Sequence, residues 1–338
     1  MEDQLINKKQ GFPLLGWYFN RSLRARLVLL LLPLVVGTLV VMVVVGSNIV
    51  RAERDSVGEE LQDEALDLQV VMLKPFESIP DNINFLKTET AAVDYAQLYS
   101  QESTTDNQAQ LADLLSQLEQ DMKSVMIGRP LFMQIRLINL NGAELVRVQR
   151  RQSTIEAVAP QSDTHLGTLL IEGRQLEDGQ VWVSEVHGQA DEFGDLHPIM
   201  QLVSPLTDTA NTGSVVGYYV IDLNLTPIFS SLETYNVEDG FAFVVDEDGY
   251  YLGHSLASEQ NILFGRDTER GGQLTGTLAN EILSGSVTND LALAEDGTDY
   301  RGATSVFAPF AQFTDVVNAP TWRVVVADAQ ANGLPSST

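Results

Sequence analysis

Between Arg26 and Arg51 lie 24 residues without a charge, Leu27 to Val50, dominated by leucine and valine and closing on Gly46, Ser47 and Asn48. As a helix, a run of about 20 apolar residues crosses the hydrocarbon core of a bilayer. Soluble folds seldom bury a helix that is apolar on every side. Lys8, Lys9, Arg21, Arg24 and Arg26 precede the run, whereas Arg51 and Arg54 follow it beside Glu53 and Asp55. The positive-inside bias therefore predicts a cytoplasmic N-terminal tail over 1–26, a transmembrane helix over 27–50 and everything after Val50 outside. A cleaved signal peptide has an apolar region of about 7–15 residues ending at a small-x-small site. This run is longer and its basic lead more extended, which favours an anchor.

Charge narrows the partners. The 338 residues hold 20 Lys+Arg against 46 Asp+Glu, a net −26, and after Val50 the balance is 15 against 44. A surface so acidic argues against nucleic acid and for solubility of an exported domain. Hydrophobic residues at 44% are enough for a core, and with no cysteine the chain has no disulfide, thiolate metal site or cysteine nucleophile.

Beyond the span, Val57, Leu61, Ala65, Leu68 and Met72 recur at steps of three and four, a stalk helix that should stop near Lys74-Pro75. Leu111, Leu114, Leu115, Leu118, Met122, Val125 and Met126 mark a second helix, with Asp106 as its expected N-cap. From Met133 the period becomes that of strands. Gln134–Ile138 and Leu145–Val148 flank Asn141-Gly142, a hairpin-turn dipeptide, and further strands are expected over Val181–Val186, Met200–Ser204 and Gly217–Asp222.

The pattern then repeats. Leu137–Leu145 aligns with Val244–Leu252, the turn glycines Gly142 and Gly249 being 107 positions apart, and Tyr219-Val220-Ile221 aligns with Val324-Val325-Val326 at an offset of 105. Two hairpin-led sheets of about 100 residues each imply a structural duplication.

The segments Gln134–Ile138, Gly142–Val148, Val181–Ser184, Pro198–Leu206 and Phe243–Leu252, in this order and spacing, resemble the double Cache, or tandem PDC, sensor domains of bacterial transmembrane receptors. The likeness runs over about 51–328. It implies an α+β chain: a transmembrane helix, a long stalk helix and two PAS-like antiparallel-sheet Cache modules in tandem. The segments expected are a stalk and helical part over 51–127, a membrane-distal module over 128–230, a membrane-proximal module over 231–330 and a C-terminal tail over 331–338. It also implies a periplasmic sensor in the inner membrane, single-pass and homodimeric through the stalk helix, that binds a small molecule and signals to a histidine kinase, diguanylate cyclase or chemoreceptor output. Neither a second membrane helix nor an output domain follows the last strand, Thr321–Val326, so the expected chain is an input module without its transmitter. The competing reading is an anchored scaffold that binds a partner protein.

The resemblance puts a pocket in the distal module. Arg136 and Arg147 are candidates to hold a carboxylate or phosphate; alternatively each pairs with Glu144, Glu185 or another acid. Gln134, Trp182, Ser184 and Gln201 are candidates to line the same cavity, with core packing the alternative for Trp182. Gln201 stands where the family pattern often has arginine, which removes the basis for an acid-binding arginine there. The pattern of the amino-acid-recognising subclass is not found. Tyr250, Tyr251 and His254 occupy the equivalent place in the second module and are expected to be structural.

Four signatures of enzymes or of bound ions fail. Gly253-His254-Ser255-Leu256-Ala257 lacks the final glycine of a nucleophile elbow, and none of His165, His187, His197 and His254 follows Ser255. Asp246-Glu247-Asp248-Gly249 lacks the glutamate a calcium loop needs twelve places on, where Ala257 stands, and reads as a turn. No HExxH or phosphate-cradling loop occurs. The chain is expected to be a receptor that uses no metal or cofactor, and no catalytic residue is assigned.

Overall fold

The structure, a computed structural model, describes residues 23–101, 105–161, 166–190, 196–210, 213–233, 240–256, 272–285, 288–295 and 298–328. The tail basics Lys8, Lys9 and Arg21, together with His165, Ala257 and the segment 331–338, lie outside them.

The chain divides into two compact units, 1–57 and 58–338. Helix α1, Leu23–Leu73, carries the apolar run. Residues 31–50 are exposed along its whole circumference, and this is the one helix among the described residues long and apolar enough to cross a membrane. The two hydroxyls within the apolar run are satisfied inside the helix: Thr38 donates to the Leu34 and Val35 carbonyls and Ser47 to that of Val44. Such internal pairing suits a medium without water.

In the second unit α1 ends at Leu73, where Pro75 cannot continue the hydrogen-bond ladder and a single 3₁₀ turn, Lys74–Phe76, follows. Leu61, Ala65, Leu68 and Met72 are all buried. Gln62 donates to the Thr304 carbonyl and Ser305 donates to Gln69, so this stripe is taken up by the sensor's own second sheet. That corrects the expectation that the same stripe faces a dimer mate: burying it within the chain already removes its apolar surface from water.

Helices α2 (Ile79–Thr88), α3 (Thr90–Tyr99) and α4 (Thr105–Met126) follow. Asp106, expected at the cap of α4, is its second residue. The strands are β1 (Phe132–Asn139), β2 (Glu144–Arg151), β3 (Thr154–Val158), β4 (Val181–Val183), β5 (His187–Ala190), β6 (Leu196–Thr207) and β7 (Val215–Asn224), with α5 (Leu166–Gly173) before β4. After α6 (Thr226–Glu233) come β8 (Gly240–Val245), β9 (Tyr251–His254), α7 (Gly276–Ser284), β10 (Thr288–Glu295), β11 (Thr298–Phe307), β12 (Val316–Val317) and β13 (Trp322–Asp328). The expected strand Val181–Val186 stops at Val183, and Ser184 leaves it to bond the backbone of β6.

The first sheet has the order β12-β4-β6-β7-β1-β2-β3, with β5 on β6; the second has the order β10-β11-β13-β8-β9. Their centres correspond strand for strand, β6-β7-β1-β2 against β11-β13-β8-β9. The two hairpin turns also correspond. Asn139 Oδ1 accepts from the backbone N–H of Asn141 and Ala143, and Asp246 Oδ1 accepts from those of Asp248 and Tyr250. Gly142 and Gly249 sit at φ +85° and +86°, a region open to glycine at little cost. Asp246 thus has a turn to hold.

The second sheet reaches into the first. β12, from the connection between β11 and β13, pairs in parallel with β4 beside Trp182, and Asn318 donates to the Val183 carbonyl at 2.8 Å. Where stalk and second sheet meet, the fully buried Trp322 packs against Phe76, Phe229 and Phe307 with ring centroids 5.7–5.8 Å apart. These rings bury large apolar areas where the stalk meets the second sheet.

Candidate functional site

Strand alternation assembles the site. In an antiparallel sheet directly opposed residues point to the same face. The register opposes Gln201 to Asp222, Asp222 to Gln134 and Gln134 to Gln149 across β6, β7, β1 and β2. The next row on that face is Val203, Val220, Arg136 and Arg147. One half of the face is apolar, with Ile138, Val203, Tyr218 and Val220 covered by Leu169 and Leu170 of α5. The other half is polar.

Asp222, which the sequence reading did not single out, is the centre of the polar half. Its carboxylate accepts from Arg136 at 2.8 and 3.0 Å, from Gln134 at 3.1 Å and from Gln201 at 3.0 Å. Arg136 and Asp222 are each 2% exposed. The pair is therefore a closed, charge-neutral unit, and its arginine is committed to an internal carboxylate. Three of the six residues expected around a ligand, Gln134, Arg136 and Gln201, meet at this one acid.

Arg147 is committed as well. Its Nε and Nη2 donate to the two oxygens of Glu144 at 2.7 and 2.5 Å, and its Nη1 donates to Gln161 at 3.0 Å. This is the pairing with Glu144 raised above as the alternative. Trp182 is half-buried against the Ile138–Val203–Val220 cluster, a packing role. Ser184 donates to the Glu185 carbonyl and accepts from the Gln201 backbone N–H, both at 2.8 Å.

Beside the Asp222 cluster opens a cavity of about 560 Å³, within the size usual for small-molecule sites. Gln134, Arg147, Gln149, Arg150, Gln161 and Gln189 are among its walls. Of the six candidates only Gln134 and Arg147 line it. Arg150 is a further residue that the sequence reading missed: it follows the recognised strand segment and sits at the opposite register position from Arg147 and Gln149. It donates to the carbonyls of Phe132 at 3.2 Å, Met126 at 2.5 Å and Arg129 at 2.9 Å, tying the C-terminal end of α4 to the cavity wall. Burial lowers the pKa of its guanidinium. A smaller cavity of about 350 Å³ lies between α2, α3 and the end of β6, with Lys87 and Asp178 3.5 Å apart on its wall.

The equivalent face of the second module is filled. Phe241, Phe243 and His254 occupy the positions of Gln134, Arg136 and Arg147, and Ala327 and Gly302 those of Asp222 and Gln201, with the same cross-strand partners. His254 stacks on Phe241 and Phe243 at centroid distances of 5.5 and 5.6 Å, and Tyr300 meets Phe241 edge-on at 4.9 Å. Burial among these rings pushes the His254 imidazole down to about 4, so at neutral pH it is uncharged, its Nδ1 accepting from the Leu256 N–H. Ser255 is held by Ala242, whose backbone N–H donates to its hydroxyl at 2.9 Å. Among the described residues no cluster of His, Asp or Glu has the geometry to hold a metal ion.

The fold has solved counterparts. A domain of a sensory box/GGDEF family protein from Vibrio parahaemolyticus is similar at 18% identity and a TM-score of 0.58, over 81% of this chain and 97% of that one. The extracellular domain of the histidine kinase vpHK1S-Z8 is similar at 17% and 0.54, over 81% and 93%. The periplasmic sensory domain of the Campylobacter jejuni chemoreceptor Tlp1 is similar at 12% and 0.51, over 82% and 97%. At such identities the likeness is one of fold. No curated protein matches the chain in sequence. Residues 81–273, more than half of the chain and spanning the polar face, its cavity and the first hairpin of the second module, match the sensor domain of bacterial histidine kinases, and the chain belongs to that family.

Proposed function

We propose that this sensor domain is the periplasmic input of a single-pass inner-membrane receptor that binds a small polar ligand in its first module. The observation that carries the reading is the contrast between one face of the duplicated sheet, polar and beside a cavity of about 560 Å³, and its counterpart packed with aromatic rings. The family match supports a histidine kinase as the output rather than a cyclase or chemoreceptor. The chain binds without turning its ligand over. Binding shifts the receptor only insofar as the ligand favours one of two states. The contacts between the stalk part of α1 and β11 and the β12–β4 pairing are the elements through which such a shift travels. A dimer would use the outward side of the stalk, Leu66 and Val70, since the opposite stripe is buried.

The test is thermal unfolding of the full chain in nanodiscs against organic acids, sugars, amines and purines. At 100 times its dissociation constant a ligand adds about 2.7 kcal/mol of stability. A shift that Gln161→Ala weakens supports the reading, and no shift from any compound with a folded protein overturns it. Orientation is tested in the same cysteine-free background: an impermeant maleimide should label Ser56→Cys and not Ser22→Cys in spheroplasts.

A further inference from the structure

We infer that the connection between β11 and β13, residues 308–321, is a latch that closes on β4 and carries the state of the first module's polar face to the end of the stalk. The inference rests on reading that module as ligand-sensing. Within the connection, β12 offers β4 just two residue pairs, Val316 with Val181 and Val317 with Trp182, at the edge of the first sheet. On one side of them the Val181 N–H donates to the Asp315 carbonyl at 3.1 Å, and on the other Asn318 donates to the Val183 carbonyl at 2.8 Å. Asn318 holds φ +62°, a left-handed conformation that asparagine tolerates better than most residues and that ends the strand there. Val317 is exposed, so little apolar surface holds the pairing together. A strand so short opens at a small fraction of the cost of unfolding the sheet.

β4 is in turn bound to the polar face. Immediately after it, the Ser184 N–H donates to the Gln201 carbonyl at 2.9 Å and the Ser184 hydroxyl accepts from the Gln201 N–H at 2.8 Å. The Gln201 side chain donates to Asp222 at 3.0 Å, and Gln134, a wall of the cavity, donates to the same carboxylate at 3.1 Å. A ligand that engages Gln134 is therefore felt at Gln201, and through Ser184 at the strand on which the latch closes.

The other contact of the latch is with the stalk. Phe310, 1% exposed, meets Phe76 edge-on with centroids 5.2 Å apart, and Gln312 donates to the Phe76 carbonyl at 3.0 Å, in the 3₁₀ turn that follows α1. The buried Phe307 and Trp322 anchor the connection at its two ends. It is thus a strap fixed in the second module that touches the first module and the stalk between its anchors. The two-residue strand supplies the discrete open and closed arrangements that coupling requires and that a row of touching residues lacks. Such coupling runs in both directions.

The experiment is hydrogen exchange of the full chain in nanodiscs, read by mass spectrometry and without a ligand. In the wild type, β4 and residues 308–321 should exchange about tenfold or more faster than β6 and β7, at a rate that low urea leaves unchanged, as a local opening does. Asn318→Gly keeps the backbone conformation and removes only the side-chain bond; it should speed exchange about fivefold over 308–321 and also over β4 and Ser184. Ser184→Ala should speed it over 308–321 and Gln312→Ala over β4, while β1 and β2 exchange as in the wild type. Should Ser184→Ala fail to fold, the wild type, Asn318→Gly and Gln312→Ala decide. Exchange of β4 and 308–321 only together with the whole first sheet, or variants that each loosen their own segment alone, overturns the inference. Uniform acceleration through β1 and β2 also overturns it, because it marks a loss of overall stability. Since no ligand is used, a failure here leaves the sensor reading standing, and that reading fails separately if no compound shifts the thermal midpoint.

Discussion

The two sheets of this sensor share strand order, cross-strand register and a glycine-cornered hairpin, yet their corresponding faces are chemically opposite. In the first, Gln134, Arg136, Gln201 and Asp222 form a hydrogen-bonded cluster; in the second, Phe241, Phe243, Gly302 and Ala327 stand at the same places. The backbone is common to both, so the difference lies in the side chains. A buried ion pair contributes little net stability compared with apolar residues of similar volume. The polar cluster is therefore no source of extra stability, whereas the aromatic face packs with Leu274, Ile282 and Leu291 as a core of the second module.

The largest effect should come from breaking the pair. Arg136→Ala leaves the Asp222 carboxylate buried without its cation, a loss of about 3–5 kcal/mol in urea unfolding of the full chain. Replacing the cluster by its counterpart, Gln134→Phe, Arg136→Phe, Gln201→Gly and Asp222→Ala together, should recover most of that loss. A fourfold variant no more stable than Arg136→Ala would show that the two faces are not interchangeable.

Next in size is the pH response of the aromatic face. The His254 pKa lies near 4 in the folded protein against about 6.5 unfolded. Above pH 6.5 the group is neutral in both states and its contribution is intact. As pH falls from 6.5 towards 4, the unfolded chain takes up a proton that the folded chain refuses. Stability therefore drops by about 3 kcal/mol over that window and no further below it. Urea midpoints at pH 7.5 and 4.5 should show this drop, and His254→Phe should remove that part of it. A variant that keeps the full drop would assign it to carboxylates elsewhere.

The smallest effect tests the duplication itself. Gly142→Ala and Gly249→Ala each force alanine to positive φ and should each be destabilising by about 1–2 kcal/mol. In both, the added Cβ would come within 3.2 Å of a leucine side-chain carbon, so the two losses should agree. A loss at one turn alone would mean that the hairpins bear different loads.

The sequence was most legible where structure depends on neighbours in the chain. The span, the stop of α1 before Pro75 and the two hairpin turns are local, and the repeat between them follows from matched turns. Alternation also carried Gln134, Arg136 and Gln201 to one face. What it did not carry was partnership across strands. Asp222 was hidden at the end of an apolar run, although a lone carboxylate in a buried strand demands a cation, and Arg136 was the obvious one. Arg150 lay beyond the recognised strand. β12 is two residues long, with no periodicity of its own, and is held by a strand more than 130 positions away.

The most direct test of the account pairs ligand response with the face exchange. The full chain in nanodiscs, wild type and fourfold variant, would be screened by thermal unfolding against the same panel of acids, sugars, amines and purines. The account predicts a compound that raises the wild-type midpoint and leaves a folded fourfold variant unmoved, while Phe243→Leu in the second module keeps the response. A response undiminished in the fourfold variant and lost in Phe243→Leu would place recognition in the second module and contradict it.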